Sequence, residues 1–567
     1  MTTDDDRPWL SSYADGVPHD IPAATATLVD LIDDAVHRYR SHVALQFFGR
    51  ETTYSDLGGR IARAAEGLRR IGVGPGDRVA LLLPNSPQHV VAFYAVLRLG
   101  AVVVEHNPLY TDRELRHLFE DHGATVAIAW DKLADRLATM PLDIRFEKVV
   151  TVDLTREMPL STRTALRLPV KRARESRAAL TAAPTRVSRG SIPWESLVSG
   201  RRLAKRHPRP DVDDIALLQY TSGTTGLPKG AILSHRNLRS NVDQGRAWVP
   251  GLRDGQETVY GVLPFFHAYG LTLCLTFAMR IGARLVLFPK FDVDLVLAAS
   301  RKRPPTFLPA VPPIYERLAE AARARGVDLS SCRIGISGAM NLPQRVEDAW
   351  EAVTGGILVE GFGLTETSPI ALGNPVGPTR RPGTVGVPFP STAARVVDRD
   401  DPSVAVAPGE PGELLVRGPQ VFQGYWRRPD ETAAVFLEGG WFRTGDIVTM
   451  SDDGFVTIVD RIKELIVTGG FNVAPSEVEE VVLGVRGVRE AAVVGIPRPG
   501  GGEDVTAVVV LAEGATLDEA AAREHCRAHL AAYKVPRRIL VVDELPKTLI
   551  GKVQRRAIRD RLIAEAS

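Results

Sequence analysis

Tyr220-Thr221-Ser222-Gly223-Thr224-Thr225-Gly226-Leu227-Pro228-Lys229-Gly230 follows directly on the apolar run Ile215–Leu218. The stretch packs hydroxyls, glycines and a lysine into one short turn. Glycines let backbone N–H groups point toward one centre, hydroxyls add donors, and a lysine supplies a point charge for phosphate. The pattern is that of an anion-binding loop leaving a buried strand. It is not a Walker loop, which needs Gly-Lys-Ser/Thr where this chain has Pro228-Lys229-Gly230. A Gly/Ser/Thr-rich surface turn is the plain alternative for such composition.

Further stretches stand in order behind the loop. They are Pro264-Phe265-Phe266-His267-Ala268-Tyr269-Gly270, Glu360-Gly361-Phe362-Gly363-Leu364-Thr365-Glu366-Thr367 and Trp441-Phe442-Arg443-Thr444-Gly445-Asp446. Asp460-Arg461-Ile462-Lys463-Glu464 and Pro546-Lys547-Thr548-Leu549-Ile550-Gly551-Lys552 complete the series. Together with the loop they resemble the adenylate-forming superfamily, which includes acyl-CoA synthetases, firefly luciferase and the adenylation domains of peptide synthetases. The chain looks most like the medium- and long-chain fatty-acid–CoA ligases of that superfamily. The motifs span Tyr220 to Lys552; the part before Tyr220 is similar only in general look.

The resemblance implies a two-step reaction. ATP and a fatty acid give acyl-AMP with Mg²⁺, and CoA then takes the acyl group. The chemistry requires it, because hydroxide leaves a carboxylic acid poorly and a phosphate leaves well. Nucleotidyl transfer is mostly positioning and charge stabilisation. By resemblance, Thr221, Ser222, Gly223, Thr224, Thr225, Gly226 and Lys229 hold the β- and γ-phosphates. Glu360, Gly361 and Phe362 face adenine. Phe362 stands where the family usually has tyrosine, so stacking survives and a polar contact is lost.

Glu366 is implied as the Mg²⁺ ligand, and Thr365 as the contact to the α-phosphate. Asp446, with Arg461, is implied at the ribose, a carboxylate being able to accept from both hydroxyls of a cis-diol. Lys552 is implied as the lysine that reaches the α-phosphate and the substrate carboxylate. His267 lies beside the acyl carboxylate in the family, not on a metal. Phe266, Ala268, Tyr269, Gly270, Leu271, Gly338 and Ala339 would line the acyl pocket. Gly469 and Gly470 would leave room for the pantetheine arm of CoA, and Lys463 would be the hinge.

Read without the family, several of these residues have blander roles. Asp after Thr-Gly is commonly a turn residue, a lysine beside glycine is commonly exposed, and Arg461 could serve in an ion pair. No charge stands near Phe265–His267 to meet an amino acid's ammonium group, and no carrier domain follows, which disfavours a peptide-synthetase domain. A fatty acyl-AMP ligase serving an acyl carrier protein, an aryl or other carboxylate–CoA ligase, and a non-catalytic membrane scaffold stay open.

Composition fits a large α/β enzyme. The chain has 567 residues, 44% hydrophobic and 24% charged, with net charge +2, so no global attraction to nucleic acid is expected. Cys274, Cys332 and Cys526 form no metal spacing and read as small buried residues of a reducing compartment. The acidic, proline-containing start is unlike a signal peptide. The longest apolar stretch, Val90–Val104, is broken by Arg98 and falls short of the ~20 residues needed to span a bilayer. A cytoplasmic location is expected, with contact at the inner face of the membrane as an option and a homodimer left open.

Continuous apolar runs at Val79–Leu83, Gly100–Val104, Thr125–Ala129, Leu285–Phe288 and Arg333–Ile336 predict strands buried on both faces, hence mainly parallel sheets covered by helices. Gln88–Leu99 reads as a helix. Shorter strands with turns begin near Leu414, a β-rich portion. The expected division is a large N-terminal domain, 1–459, and a small α+β C-terminal domain, 460–567, which the resemblance makes a mobile lid. In that domain Glu477–Val482 and Asp518–Leu530 read as helices, the first with Ser476 as N-cap, and Ala491–Gly495 and Val505–Leu511 as strands.

Residues 156–209 depart from this order. Arg163, Arg167, Lys171, Arg172, Arg174 and Arg177 are interleaved with Leu160, Leu166, Leu168 and Val170. The segment reads either as a basic patch that meets anionic lipid or as a solvated excursion.

Overall fold

The computed structural model describes residues 7–182, 191–221, 228–461, 464–468, 471–498, 503–548 and 551–566. The chain forms two compact units. One comprises Trp9–Ala393 with Arg417–Phe442, and the other chiefly Ala394–Val416 with Arg443–Ser567.

The first unit holds two mainly parallel sheets. One runs Ile192–Pro193, Lys148–Val152, Val126–Trp130, Arg78–Leu82, Val102–Glu105, Ile215–Thr221, Lys229–Ser234 in spatial order. All its neighbours are parallel except the last pair, which closes an antiparallel hairpin with Thr221 opposite Lys229. The other sheet has Ile357–Gly363, Ile334–Ser337, Phe307–Ala310, Thr258–Gly261, Arg284–Leu287 and Val43–Phe47 as its parallel centre. Antiparallel strands finish both of its edges.

These strands are continuous apolar runs because both faces are covered; Val79 to Leu83 are fully buried. The sequence placed them within a residue or two. The helix expected at Gln88–Leu99 is Pro87–Arg98, every residue of it buried. Its start combines a proline in the first turn with Ser86 as N-cap, the His89 N–H donating to Ser86 Oγ at 3.2 Å.

In the second unit, strands Gly412–Arg417, Trp441–Met450 and Val456–Arg461 lie side by side. The last two pair antiparallel with Asp446 opposite Arg461. Residues on both sides of Asp460 therefore fall in the same unit. Farther on, Val488–Pro497, Glu503–Leu511 and Arg538–Val541 form a three-stranded sheet.

Alternation along these strands feeds two cores. Val493, Val505, Ala507 and Val509 pack with Val478, Val482, Ala522 and Cys526 of helices Pro475–Leu483 and Glu519–His529. Ala492, Val494, Val508 and Val510 pack with Ile558 of helix Arg555–Ala566 on the opposite face.

Ser476 is not the N-cap that the sequence suggested; Ala474 holds that position and Ser476 lies inside the first turn. Its hydroxyl is turned instead to Asp460 Oδ2, at 2.8 Å, and to the Val459 carbonyl oxygen, at 2.6 Å. A long-range acceptor outcompetes the local cap. The three cysteines are buried. Among the described residues, no helix is long and apolar enough to cross a membrane.

Candidate active site

Each unit carries part of the predicted site. In the first unit, strand Ile215–Thr221 ends at Thr221, and the returning strand begins at Lys229. Ser222, Gly223, Thr224, Thr225 and Gly226 lie outside the described residues. Lys229 pairs with Glu431, and its ammonium sits 5.1 Å from the centre of the Tyr425 ring.

Strand Ile357–Gly363 brings Glu360, Gly361 and Phe362 to its end, and a short 3₁₀ turn, Thr365–Thr367, presents Thr365 and Glu366. A Cβ on Gly363 would stand 1.8 Å from the Pro369 carbonyl oxygen, so only glycine allows this close return of the chain. Glu360 is buried and accepts the Leu342 N–H at 3.1 Å; burial pushes its carboxyl up to about 7.

Glu366 is half-buried. The Tyr425 hydroxyl donates to its Oε1 at 2.8 Å, and the Phe422 N–H donates to its carbonyl oxygen at 2.8 Å. Tyr425 and Glu431 escaped the sequence reading. Their signal is long-range, the bridge between Ala231 and Tyr425, and nothing local announces it.

The Phe266–His267 segment is tied to strand Ile215–Thr221, Gln219 Nε2 donating to the Phe266 carbonyl oxygen at 2.8 Å. Phe265 is buried, its N–H donating to Asn85 Oδ1 at 2.8 Å. His267 faces a cleft that opens to solvent. Glu360, Gly361, Phe362 and Thr365 stand along the same cleft, as do Ala268, Tyr269, Gly338 and Ala339. Ala339 holds φ at 67°, a left-handed conformation that a non-glycine residue adopts at some cost.

Phe266, Gly270 and Leu271 do not line the cleft. A Cβ on Gly270 would meet the Pro264 carbonyl oxygen at 2.1 Å, and Leu271 is wholly buried. Part of the wall comes from Gly245 and Trp248 of helix His235–Trp248, and from Leu273, Phe277, Phe307 and Phe389. No sequence signal separates these apolar residues from the core around them.

In the second unit, Asp446 is 2% exposed. Thr444 fixes the turn before it, its hydroxyl donating to the Leu414 carbonyl oxygen at 2.8 Å and accepting the Asp446 N–H at 3.1 Å. Asp446 Oδ1 meets Arg461 Nε at 2.9 Å, and Oδ2 has no hydrogen-bond partner among the described residues. An unsatisfied buried carboxylate oxygen is costly unless a ligand donates to it.

Lys552 lies close enough to Arg461, Asp446 and Glu464 to feel their charges. Burial, then the neighbouring Arg461 guanidinium, hold its ammonium down to about 8, against the pull of Glu464 and Asp446. Arg555, on the same stretch, pairs with Glu479 at 2.6 Å, and also with Glu464. Lys463, Gly469 and Gly470 lie outside the described residues.

Among the described residues, no three His, Cys, Asp or Glu side chains gather into a metal cage. The donor set instead fits a hard cation that takes one carboxylate together with phosphate oxygens and water.

Residues 32–426 match the family model described as AMP-binding enzyme, and residues 477–552 that described as AMP-binding enzyme C-terminal domain. The chain is 38% identical over 553 residues, 97% of each chain, to a protein of Bacillus subtilis (strain 168) named long-chain-fatty-acid–CoA ligase. A protein of the same name from Yersinia pestis is 38% identical over 562 residues, 98% of each chain. The crystal structure of ATP-bound MatB from Rhodopseudomonas palustris is similar with a TM-score of 0.82 and 31% identity, covering 95% of this chain and 100% of that one.

Proposed function

Because the chain belongs to the family of AMP-binding enzymes, we propose that it activates a fatty acid with ATP and passes the acyl group to CoA, releasing AMP and pyrophosphate. It is an acid–thiol ligase of the long-chain fatty-acid–CoA type, like the relatives to which it is 38% identical along nearly all its length. The observation that carries the choice of a fatty acid is the cleft. It runs from the Glu360–Thr365 segment to an apolar wall of Trp248, Leu273, Phe277 and Phe307, and among these wall residues there is no charge to hold a second polar group.

A carboxylate oxygen attacks the α-phosphorus, and the bond to pyrophosphate breaks. The CoA sulfur then attacks the acyl carbon, and AMP leaves with the former carboxylate oxygen. In this reading Thr221 and Lys229 hold the outgoing phosphates, and Lys229 exchanges Glu431 for phosphate oxygen. Glu366 would hold Mg²⁺, which would neutralise phosphate charge when bound. Thr365 and Lys552 meet the α-phosphate, where negative charge builds up in the transition state. Asp446 takes the ribose hydroxyls on its unpartnered oxygen; burial raises its carboxyl, and the Arg461 guanidinium draws it back down. His267 orients the substrate carboxylate.

Incubation with ATP, Mg²⁺ and palmitate, with and without CoA, tests the assignment. AMP and palmitoyl-CoA in equal amounts are expected. Acyl-adenylate that CoA cannot discharge would instead indicate a ligase serving a carrier protein.

We also propose that residues 160–180 meet an anionic lipid surface, from which the acyl substrate is drawn. None of these residues is buried, and six are basic against one acid, Glu175. Leu160, Leu168 and Val170 are 75%, 52% and 53% exposed. The helix Lys171–Leu180 is held at its C-terminal end, where Trp130 Nε1 and Lys132 Nζ donate to the carbonyl oxygens of Leu180 and Ala178 at 2.9 and 2.8 Å. Its basic N-terminal half is thereby held outward.

A further inference from the structure

We infer that Tyr425 is a positioning residue for the Glu366 carboxylate and, through its ring, for Lys229, so that one side chain sets the metal ligand and the phosphate lysine relative to each other. The inference rests on the reading of Glu366 as the metal ligand.

Four contacts fix Tyr425 before any ligand arrives. Its N–H donates to Thr432 Oγ1 at 2.9 Å. The flanking Trp426 N–H donates to the Gly230 carbonyl oxygen at 2.8 Å, and the Ile232 N–H to the Gly424 carbonyl oxygen at 2.9 Å. Its ring meets Phe422 edge-on at 4.9 Å. Gly424 makes the approach possible: its φ is +135°, and a Cβ there would come within 2.6 Å of Thr432. The segment is thus stapled to the strand that begins at Lys229, while Phe422 staples it to the Glu366 backbone.

From that fixed base the ring reaches both functional groups. The hydroxyl donates to Glu366 Oε1 at 2.8 Å, and the Lys229 ammonium lies over the ring. Packing alone would be served as well by phenylalanine; the hydroxyl has no use in the core. A carboxylate held by a fixed donor loses less freedom when it takes a cation, which is the usual service of a residue behind a metal ligand.

The test reads metal binding and not turnover. Mn²⁺ is titrated by electron paramagnetic resonance into the full-length protein saturated with a non-hydrolysable ATP analogue. Tyr425→Phe is expected to weaken Mn²⁺ about tenfold, while the affinity for the analogue in EDTA and the thermal unfolding midpoint stay at parental values. Tyr425→Leu, which also removes the ring beneath Lys229, is expected to weaken the analogue in EDTA as well.

Glu366→Gln provides the control. If it leaves Mn²⁺ binding intact, the metal reading itself fails. If it abolishes binding while Tyr425→Phe matches the parent, the positioning role alone is overturned. A Tyr425→Phe protein that does not fold would overturn it too, because the hydroxyl would then serve stability.

Discussion

The two parts of the site are built from opposite materials. In the first unit His267, Phe362, Thr365 and Ala339 line a largely apolar cleft, and Glu366 sits half-buried on a short turn, held by a neutral hydroxyl. In the second unit Asp446, Arg461, Glu464, Lys552 and Arg555 form a dense cluster of charge, with Asp446 2% exposed and facing a guanidinium. A carboxylate that must accept a hydrated cation needs room and no competing positive charge. One that binds a neutral diol can be buried, provided a cation offsets its charge. In the proposed reaction the second unit's cluster meets the nucleotide with charge, while the first unit adds the apolar cleft that would receive the acyl chain.

The largest effect should come from removing the cluster's lysine. Lys552→Ala is expected to lower adenylate formation by about 10³-fold while pre-formed acyl-AMP is still converted to thioester. Equal loss of both half-reactions would break the contrast. The same lysine gives a pH signature. With its ammonium held at about 8, it is charged below that pH and neutral above it. Adenylation should therefore fall as pH rises through about 8. Lys552→Arg, which stays charged, should remove that limb.

Asp446→Asn should follow. A buried charged hydrogen bond is worth about 1.5–3 kcal/mol, so KM for ATP is expected to rise about tenfold to a hundredfold, with KM for palmitate unchanged. A change confined to palmitate would reverse the assignment of the two units.

How much of this could be read from the sequence depends on the range of the interaction. Strands such as Arg78–Leu82 and Ile215–Thr221 are legible because burial on both faces writes a continuous apolar run. The roles proposed for Asp446 and Lys552 rest only on their motifs, since Thr-Gly-Asp and Gly-Lys have many uses. Tyr425 is invisible because its destination is set by pairing with Ala231, far away in sequence. Gly245, Trp248 and Phe277 are invisible for another reason: an apolar residue in a buried helix does not announce whether it faces core or cleft. Ser476 is not the cap that its place in the sequence suggests, because Asp460 competes for its hydroxyl.

The first unit's part in selection is tested by filling the cleft. A Cβ at Gly245 would lie 3.6 Å from the Phe277 ring, so Gly245→Leu should shorten the space for the acyl chain. Each methylene kept out costs about 0.8 kcal/mol, about fourfold. Activity on palmitate should fall relative to octanoate, with KM for ATP unchanged. An equal loss on both acids would mean that the acyl chain lies elsewhere.

The smallest effect concerns the exposed basic segment. Replacing Lys171, Arg172, Arg174 and Arg177 with glutamine should release the protein from phosphatidylglycerol vesicles, each charge contributing about 1 kcal/mol near the surface. Turnover of soluble octanoate should not change. Parental sedimentation of the variant with vesicles would leave the segment as a solvated excursion.

The account stands on an acyl-adenylate, and isotope transfer reads it directly. Palmitate labelled with ¹⁸O in both carboxyl positions is converted with ATP and CoA, and the AMP is weighed by mass spectrometry. One ¹⁸O per AMP is predicted, because the attacking carboxylate oxygen stays on the α-phosphorus when the thiol displaces it. Unlabelled AMP, or label in inorganic phosphate with ADP as the nucleotide product, would contradict the account.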